Sequence, residues 1–163
     1  MFVNKVENSG ILAFDLIDFK NRVEIIEFDI KILFYQEMIV REKDFKAALA
    51  ALDLKPFIGK AVAFTCSVDA IVPPWVYMAL AEKFHAIVAY YNFKSVETME
   101  LELWTQHLNH ADLSLYQDQK VVIRARPNMP ESLYILATSR LIPIVKTLMY
   151  GEIGMPKVIF KRT

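Results

Sequence analysis
The chain has 163 residues, equal numbers of acidic and basic side chains, and a formal net charge of zero. It is 55% hydrophobic with a mean hydropathy of +0.27, yet its longest apolar run, Ala70 to Ala81, is interrupted by two prolines. A membrane-spanning helix needs about 20 apolar residues and is not expected.

Nothing basic enough for general nucleic-acid binding stands out. Only four glycines occur, which counts against a glycine-rich phosphate cradle. The apolar excess calls for a sheet buried on both faces or for a hydrophobic subunit interface, and a homodimer is expected. A single cysteine excludes an internal disulfide and fits a reducing cytoplasm. The opening MFVNKVENSG has no apolar core of the kind a signal peptide carries.

Ile11 to Leu16 suits either a short strand or part of a helix. Val23 to Ile30, rich in β-branched and aromatic residues, reads as a strand. Lys31 to Val40 is ambiguous, with a helical turn favoured. A helix is predicted from Arg41 to about Leu52, with Phe45, Ala48, Leu49 and Leu52 on one face and Lys55-Pro56 ending it. The apolar run Ala61 to Phe64 after Gly59-Lys60 suits a strand buried on both faces. Pro73-Pro74 opens a helix with Val76, Leu80 and Phe84 on one face. His85 to Tyr91 reads as a strand. Ser95 is an expected N-cap for a helix to about His110, with Leu101, Trp104 and Leu108 inward. Lys120 to Arg124 reads as a strand, Pro130 to Leu141 as a helix and Val145 to Tyr150 as a strand. Lys157 to Lys161 reads as a last edge strand.

At offsets of 57 to 60 residues the chain aligns with itself. Phe45 falls on Trp104, Leu49 on Leu108, Lys60 on Lys120, Val62 on Val122, Pro73 on Pro130, Tyr77 on Tyr134 and Tyr91 on Tyr150. Two βαβ units imply a mainly parallel sheet. The expected fold is a single α/β domain, a mostly parallel sheet covered by helices, built from two tandem βαβ-like repeats. Residues 1–40 form an N-terminal extension, 41–92 the first repeat, 93–152 the second and 153–163 the edge strand.

No motif of known catalytic mechanism appears, and no cofactor is implied. The candidate site is the loop Thr65 to Val72, since ligands in open α/β sheets gather at the carboxyl ends of strands. The Pro73 helix has no capping side chain at Val72 and no acid in its first turn, so its free N–H groups need an acceptor. Ser67 or Asp69 folding back supplies one; a small anionic ligand is the alternative. Cys66 is either a nucleophile near a helix N-terminus or a packed hydrophobe. Arg41 is a solvated helix start or a bridge to Asp69. Trp75 belongs to the core or stacks on a ligand. Arg126, aligned with Cys66, is the candidate from the second repeat to reach such a site. His107 and His110 are three apart on one helix, and a helix C-terminus favours their charge over a metal pair. No metal site is expected, because one cysteine and three histidines do not build a closed tetrahedral set.

REKDF (Arg41 to Phe45), GKAVAFTCSVDAIVP (Gly59 to Pro73), Trp75 with Tyr77-Met78, and LMYGE (Leu148 to Glu152) resemble an uncharacterised bacterial family known only as domain of unknown function 2480. The resemblance covers nearly the whole chain. It implies a further cysteine where this chain has Arg126, and another near Ile153-Gly154-Met155. Three such cysteines suggest a thiolate metal or redox site in relatives, of which this chain keeps only Cys66. Two functional readings follow. One is a small-molecule or anion-binding protein with its site on the loop after Phe64. The other is a non-catalytic homo-oligomeric structural or interaction protein in which CSVDAIVPP is a structural lock.

Overall fold
Short apolar strands alternate with amphipathic helices along the chain. The computed structural model describes residues 10–152 and 154–163. The signal-peptide expectation falls on residues 1–9 and lies outside these, as does Ile153. In chain order the elements are β1 (Ile11–Phe14), β2 (Ile25–Asp29), α1 (Glu42–Ala51), β3 (Ala61–Thr65), α2 (Pro74–Phe84), β4 (Tyr90–Phe93), α3 (Val96–His110), β5 (Lys120–Ile123), α4 (Glu131–Leu141), β6 (Thr147–Tyr150) and β7 (Lys157–Lys161). Short 3-10 turns follow β1 and β2 and precede β3 and β5.

The α/β class with mostly parallel strands holds, with the strands distributed over two sheets. Their orders are β1-β5-β6-β7 and β2-β3-β4. Among the described strands every pairing is parallel except β6 with β7. The chain divides into two compact units. A continuous unit spans Arg22–Glu100, and a split unit combines Met1–Asn21 with Leu101–Thr163. The stretch 1–40, read as an extension, supplies β1 to the split unit's sheet and β2 to the continuous unit's sheet.

In the continuous unit β3 lies between two parallel neighbours, and Ala61 to Phe64 are buried, as the unbroken apolar run requires. Phe28, Phe57, Phe64 and Phe84 meet edge to face, with ring centroids 5.1 to 6.1 Å apart. Phe45 and Leu49 of α1 and Val76, Leu80 and Phe84 of α2 fill the rest of this core. Gly59 takes φ +72° at the turn into β3, a conformation without penalty only for glycine. The predicted strand from His85 starts too early. The His85 N–H still donates to the Ala81 carbonyl (2.9 Å), and the Ile87 and Val88 N–H groups return to Phe84 O (3.1 and 3.2 Å). Helical hydrogen bonding therefore claims residues 85–88, and β4 begins at Tyr90.

In the split unit Phe14, Trp104, Leu108, Val121, Ile123 and Leu148 belong to one core, with Leu133, Ala137 and Leu141 of α4 recurring at i, i+4, i+8. The Trp104 indole N–H donates to Leu16 O at 2.8 Å, which satisfies its buried polar end. Arg140 donates to the carbonyls of Leu108 and Ala111 at 2.7 and 2.8 Å, covering acceptors that the end of α3 leaves free. Within the continuous unit the expected cap is present, the Thr98 N–H donating to Ser95 Oγ at 3.1 Å.

Candidate functional site: two strand-end aspartates and two apolar grooves
The loop after β3 is anchored by an acid on the neighbouring strand. Asp29, at the end of β2, accepts from the Ser67 N–H at 3.3 Å and from the Lys31 N–H at 3.2 Å. Burial raises the Asp29 carboxyl, but hydrogen bonds from the Ser67 side chain and from the Lys31 and Ser67 N–H groups outweigh it. The net shift is downward. Cys66 is half-buried, its thiol 3.3 Å from the Val68 carbonyl oxygen, and it packs against the unit's core.

The expected cap on the Pro73 helix is not present. Pro73 occupies the N-cap position of α2 with no side-chain hydrogen bond, and Asp69 is exposed. The reason is local. The Ala70 N–H donates to Val68 O at 3.1 Å, closing a three-residue turn with Asp69 at its tip in solvent. Trp75 is partly buried against the unit's core and packs edge-on against Phe45, with ring centroids 5.4 Å apart. Arg41 lays its guanidinium over the Tyr35 ring at 3.5 Å, a cation–π contact, and among the described ion pairs none joins it to Asp69.

Arg126 is committed within the split unit. Its guanidinium grips Asp15 with both ends, Nε to Oδ1 at 3.1 Å and Nη2 on Oδ2. Arg124 Nη1 stands 3.7 Å from the same carboxylate. Asp15 also accepts from the Ile17 N–H at 3.2 Å. The Arg126 hydrogen bonds hold the Asp15 carboxyl below its usual range despite partial burial, and they push Arg126 still higher. Tyr134 completes the loop, its hydroxyl accepting from the Arg126 N–H at 3.3 Å.

Strand register ties the two arrangements together. Phe28 pairs with Phe64, and Phe14 with Ile123. Each of Asp15 and Asp29 then directly follows the phenylalanine so paired and caps a 3-10 turn. By this register Arg126 corresponds to Ser67, not to Cys66, and each is the residue its unit's aspartate holds. Likewise Tyr150 pairs with Ile123 as Phe93 does with Phe64, so Tyr150 corresponds to Phe93 and not to Tyr91.

The same correspondence locates two grooves. In the continuous unit Phe64, Tyr77, Leu80, Tyr91 and Phe93 line a cavity of about 170 Å³. In the split unit Ile123, Tyr134, Thr138, Leu148, Tyr150 and Ile159 line one of about 240 Å³. A helix tyrosine meets a strand-end ring in both, Tyr77 on Phe93 at 5.2 Å and Tyr134 on Tyr150 at 5.7 Å. Neither groove is lined by Cys66, Ser67 or Asp69.

Each histidine ring has a local partner. His85 meets the Tyr91 hydroxyl at 2.8 Å, His107 the Phe19 carbonyl at 3.2 Å and His110 the Gln106 carbonyl at 2.8 Å. Among the described residues no group of three or more His, Cys, Asp or Glu is placed to hold a metal ion. None of the described helices is long and apolar enough to cross a membrane.

Asp15 and Asp29 were not singled out from sequence. The clue was there in ILAFDL (Ile11 to Leu16) and IIEFDI (Ile25 to Ile30), two strands that end alike in Phe-Asp. Neither a curated protein nor a solved structure matches the chain. A family model described as protein of unknown function (DUF2480) matches residues 1–162. With all but its last residue covered, the chain belongs to the DUF2480 family.

Proposed function
We propose that the protein works by association, as a homodimeric interaction protein in which the CSVDAIVPP loop is a structural lock. One observation carries this reading: matching large apolar side chains stand in solvent beside the groove of each unit. Met78 on α2 is 72% exposed and Ile135 on α4 is 71% exposed, one residue after the groove tyrosines Tyr77 and Tyr134. Apolar surface clustered around a groove marks an interaction site more often than a solvated face. The lock is supported by Asp29, which holds the Ser67 N–H while Cys66 packs inward. The alternative, a small anionic ligand at Cys66, Ser67 and Asp69, has less support, because Asp69 stands at a turn tip and no described groove reaches it. A cytoplasmic setting accords with the lone free Cys66. We also propose that the two units share a common origin, which the matched strand registers support.

Light scattering at tens of micromolar protein tests the reading. The expected mass is twice the 18.8 kDa of the chain. A monomer at that concentration overturns it.

A further inference from the structure
We infer that the dimer forms through the outer face of α4, which packs antiparallel against α4 of a second copy. This rests on the homodimer reading above and names its surface.

α4 commits one face to its own unit and turns the other away. Leu133, Ala137 and Leu141 are buried in the core. On the opposite side Ile135, Thr138, Ser139 and Ile142 recur at i, i+3, i+4 and i+7, the spacing of a helix-packing seam. Ile135 is 71% exposed and Ile142 37% exposed. With Tyr134 these four line a shallow apolar depression along the helix. It adjoins the unit's groove, whose lining shares Tyr134 and Thr138.

The matched helix separates a contact face from a solvated one. α2 and α4 have the same length, and Tyr77 and Tyr134 stand at the same place in them. Met78, Ala81, Glu82 and His85 are therefore the counterparts of Ile135, Thr138, Ser139 and Ile142. The α2 seam carries an exposed carboxylate and an exposed imidazole where the α4 seam has a hydroxyl and an aliphatic side chain. Two-fold pairing of α2 brings the Glu82 carboxylates of both copies together near the axis, and like charges repel there. Two-fold pairing of α4 places Ser139 at that point and meets no such opposition.

A second copy suits the α4 seam in shape and in charge. An axis passing between Thr138 and Ser139 sets Ile135 beside Ile142 of the second copy, twice over. The small side chains at the axis let the helices approach to the usual separation of about 8 to 10 Å. The two ends of the seam differ in sign. Glu131 opens α4, one turn before Ile135, and Lys146 lies just past the helix C-terminus; both are exposed. They are equally far along the chain from the axis. Antiparallel packing therefore brings each Glu131 toward Lys146 of the second copy, and it sets the helix dipoles head to tail.

The test compares wild type, Ile135→Lys and Met78→Lys by light scattering across a dilution series, with circular dichroism melts for folding. Ile135→Lys sets a charge against Ile142 of the second copy at two symmetric places and is expected to weaken the dimer roughly tenfold or more. Met78→Lys, at the matched place in the continuous unit, leaves it unchanged. If Ile135→Lys dimerises like wild type, or if Met78→Lys weakens the dimer as much, the α4 face is wrong while the homodimer stands. If wild type is a monomer, both fail. Should Ile135→Lys not fold, a charge exchange at low salt decides. Glu131→Lys and Lys146→Glu each weaken the dimer roughly threefold, and the double variant recovers it. Single variants that dimerise like wild type, or a double variant no tighter than the singles, overturn the inference.

Discussion

The continuous and split units solve the same problem with different residues. In both, an aspartate at the end of a leading strand opens a 3-10 turn and fastens the loop after the next strand. In the split unit Asp15 is only 12% exposed and is gripped by a guanidinium. In the continuous unit Asp29 is 26% exposed and is held mainly by the neutral Ser67 and by backbone N–H groups. The cores diverge in the same spirit. Four phenylalanines meeting edge to face, Phe28, Phe57, Phe64 and Phe84, lie within one; the corresponding places of the other are taken by Phe14, Tyr116, Ile123 and Leu141. Backbone geometry at a strand end tolerates either a charge-assisted clamp or a set of neutral donors, because both satisfy the same acceptor. Interior volume can likewise be carried by rings or by branched aliphatics, provided the space is filled.

The sharpest test of this comparison is in the cores. Phe84→Ala removes a ring that touches three others and is expected to cost about 4 kcal/mol, against about 3 kcal/mol for Leu141→Ala, read from urea unfolding. A larger loss at Leu141 would break the assignment of the aromatic cluster as the tighter core. Next come the aspartates. Asp15→Ala loses a turn cap and the Arg126 clamp, about 2 kcal/mol together, whereas Asp29→Ala loses about 1 kcal/mol. Equal losses would mean that the guanidinium adds nothing to the neutral arrangement.

Acid sharpens the same contrast. Asp15 has a folded-state value below its usual 3.8, so its stabilisation is fully present above that value. It is lost as pH falls from there through the lower folded value. Asp29 shifts in the same direction. Asp15→Asn is expected to flatten the acid limb of a melting-temperature profile, and an unchanged slope would remove Asp15 from the account. The smallest effect belongs to Asp69→Ala, expected within about 0.5 kcal/mol of wild type and insensitive to added phosphate. A loss near 1 kcal/mol that phosphate repairs would restore Asp69 as the cap of α2.

Much of the fold was legible because it is written locally. The run Ala61 to Phe64, the Ser95 cap and the edge strand from Lys157 each carry their own pattern in a few residues. Ile11 to Leu16 was not resolvable, since four strand residues pass straight into a capped 3-10 turn and neither period has room to repeat. The apolar residues after His85 have a strand-like composition, yet two of their amides remain with the end of α2. The clamp between Asp15 and Arg126 joins residues 111 positions apart, a separation at which composition and periodicity say nothing. Alignment by residue type set Arg126 against Cys66; only the strand register moves it to Ser67.

The split unit also has a consequence for synthesis. Its first strand, β1, emerges early, but β5, the strand it pairs with, ends at Ile123. At roughly 5 to 20 residues per second, β1 waits about 5 to 20 seconds on the ribosome for its partner. The continuous unit is complete in sequence before then. It is therefore expected to become protease-resistant in stalled nascent chains that have cleared the exit tunnel to Glu100, while β1 is still without β5. Simultaneous protection of both units only at full length would contradict that order. Until then the nascent chain carries an unpaired Ile-Leu-Ala-Phe segment, a natural binding site for chaperones that hold extended apolar peptides.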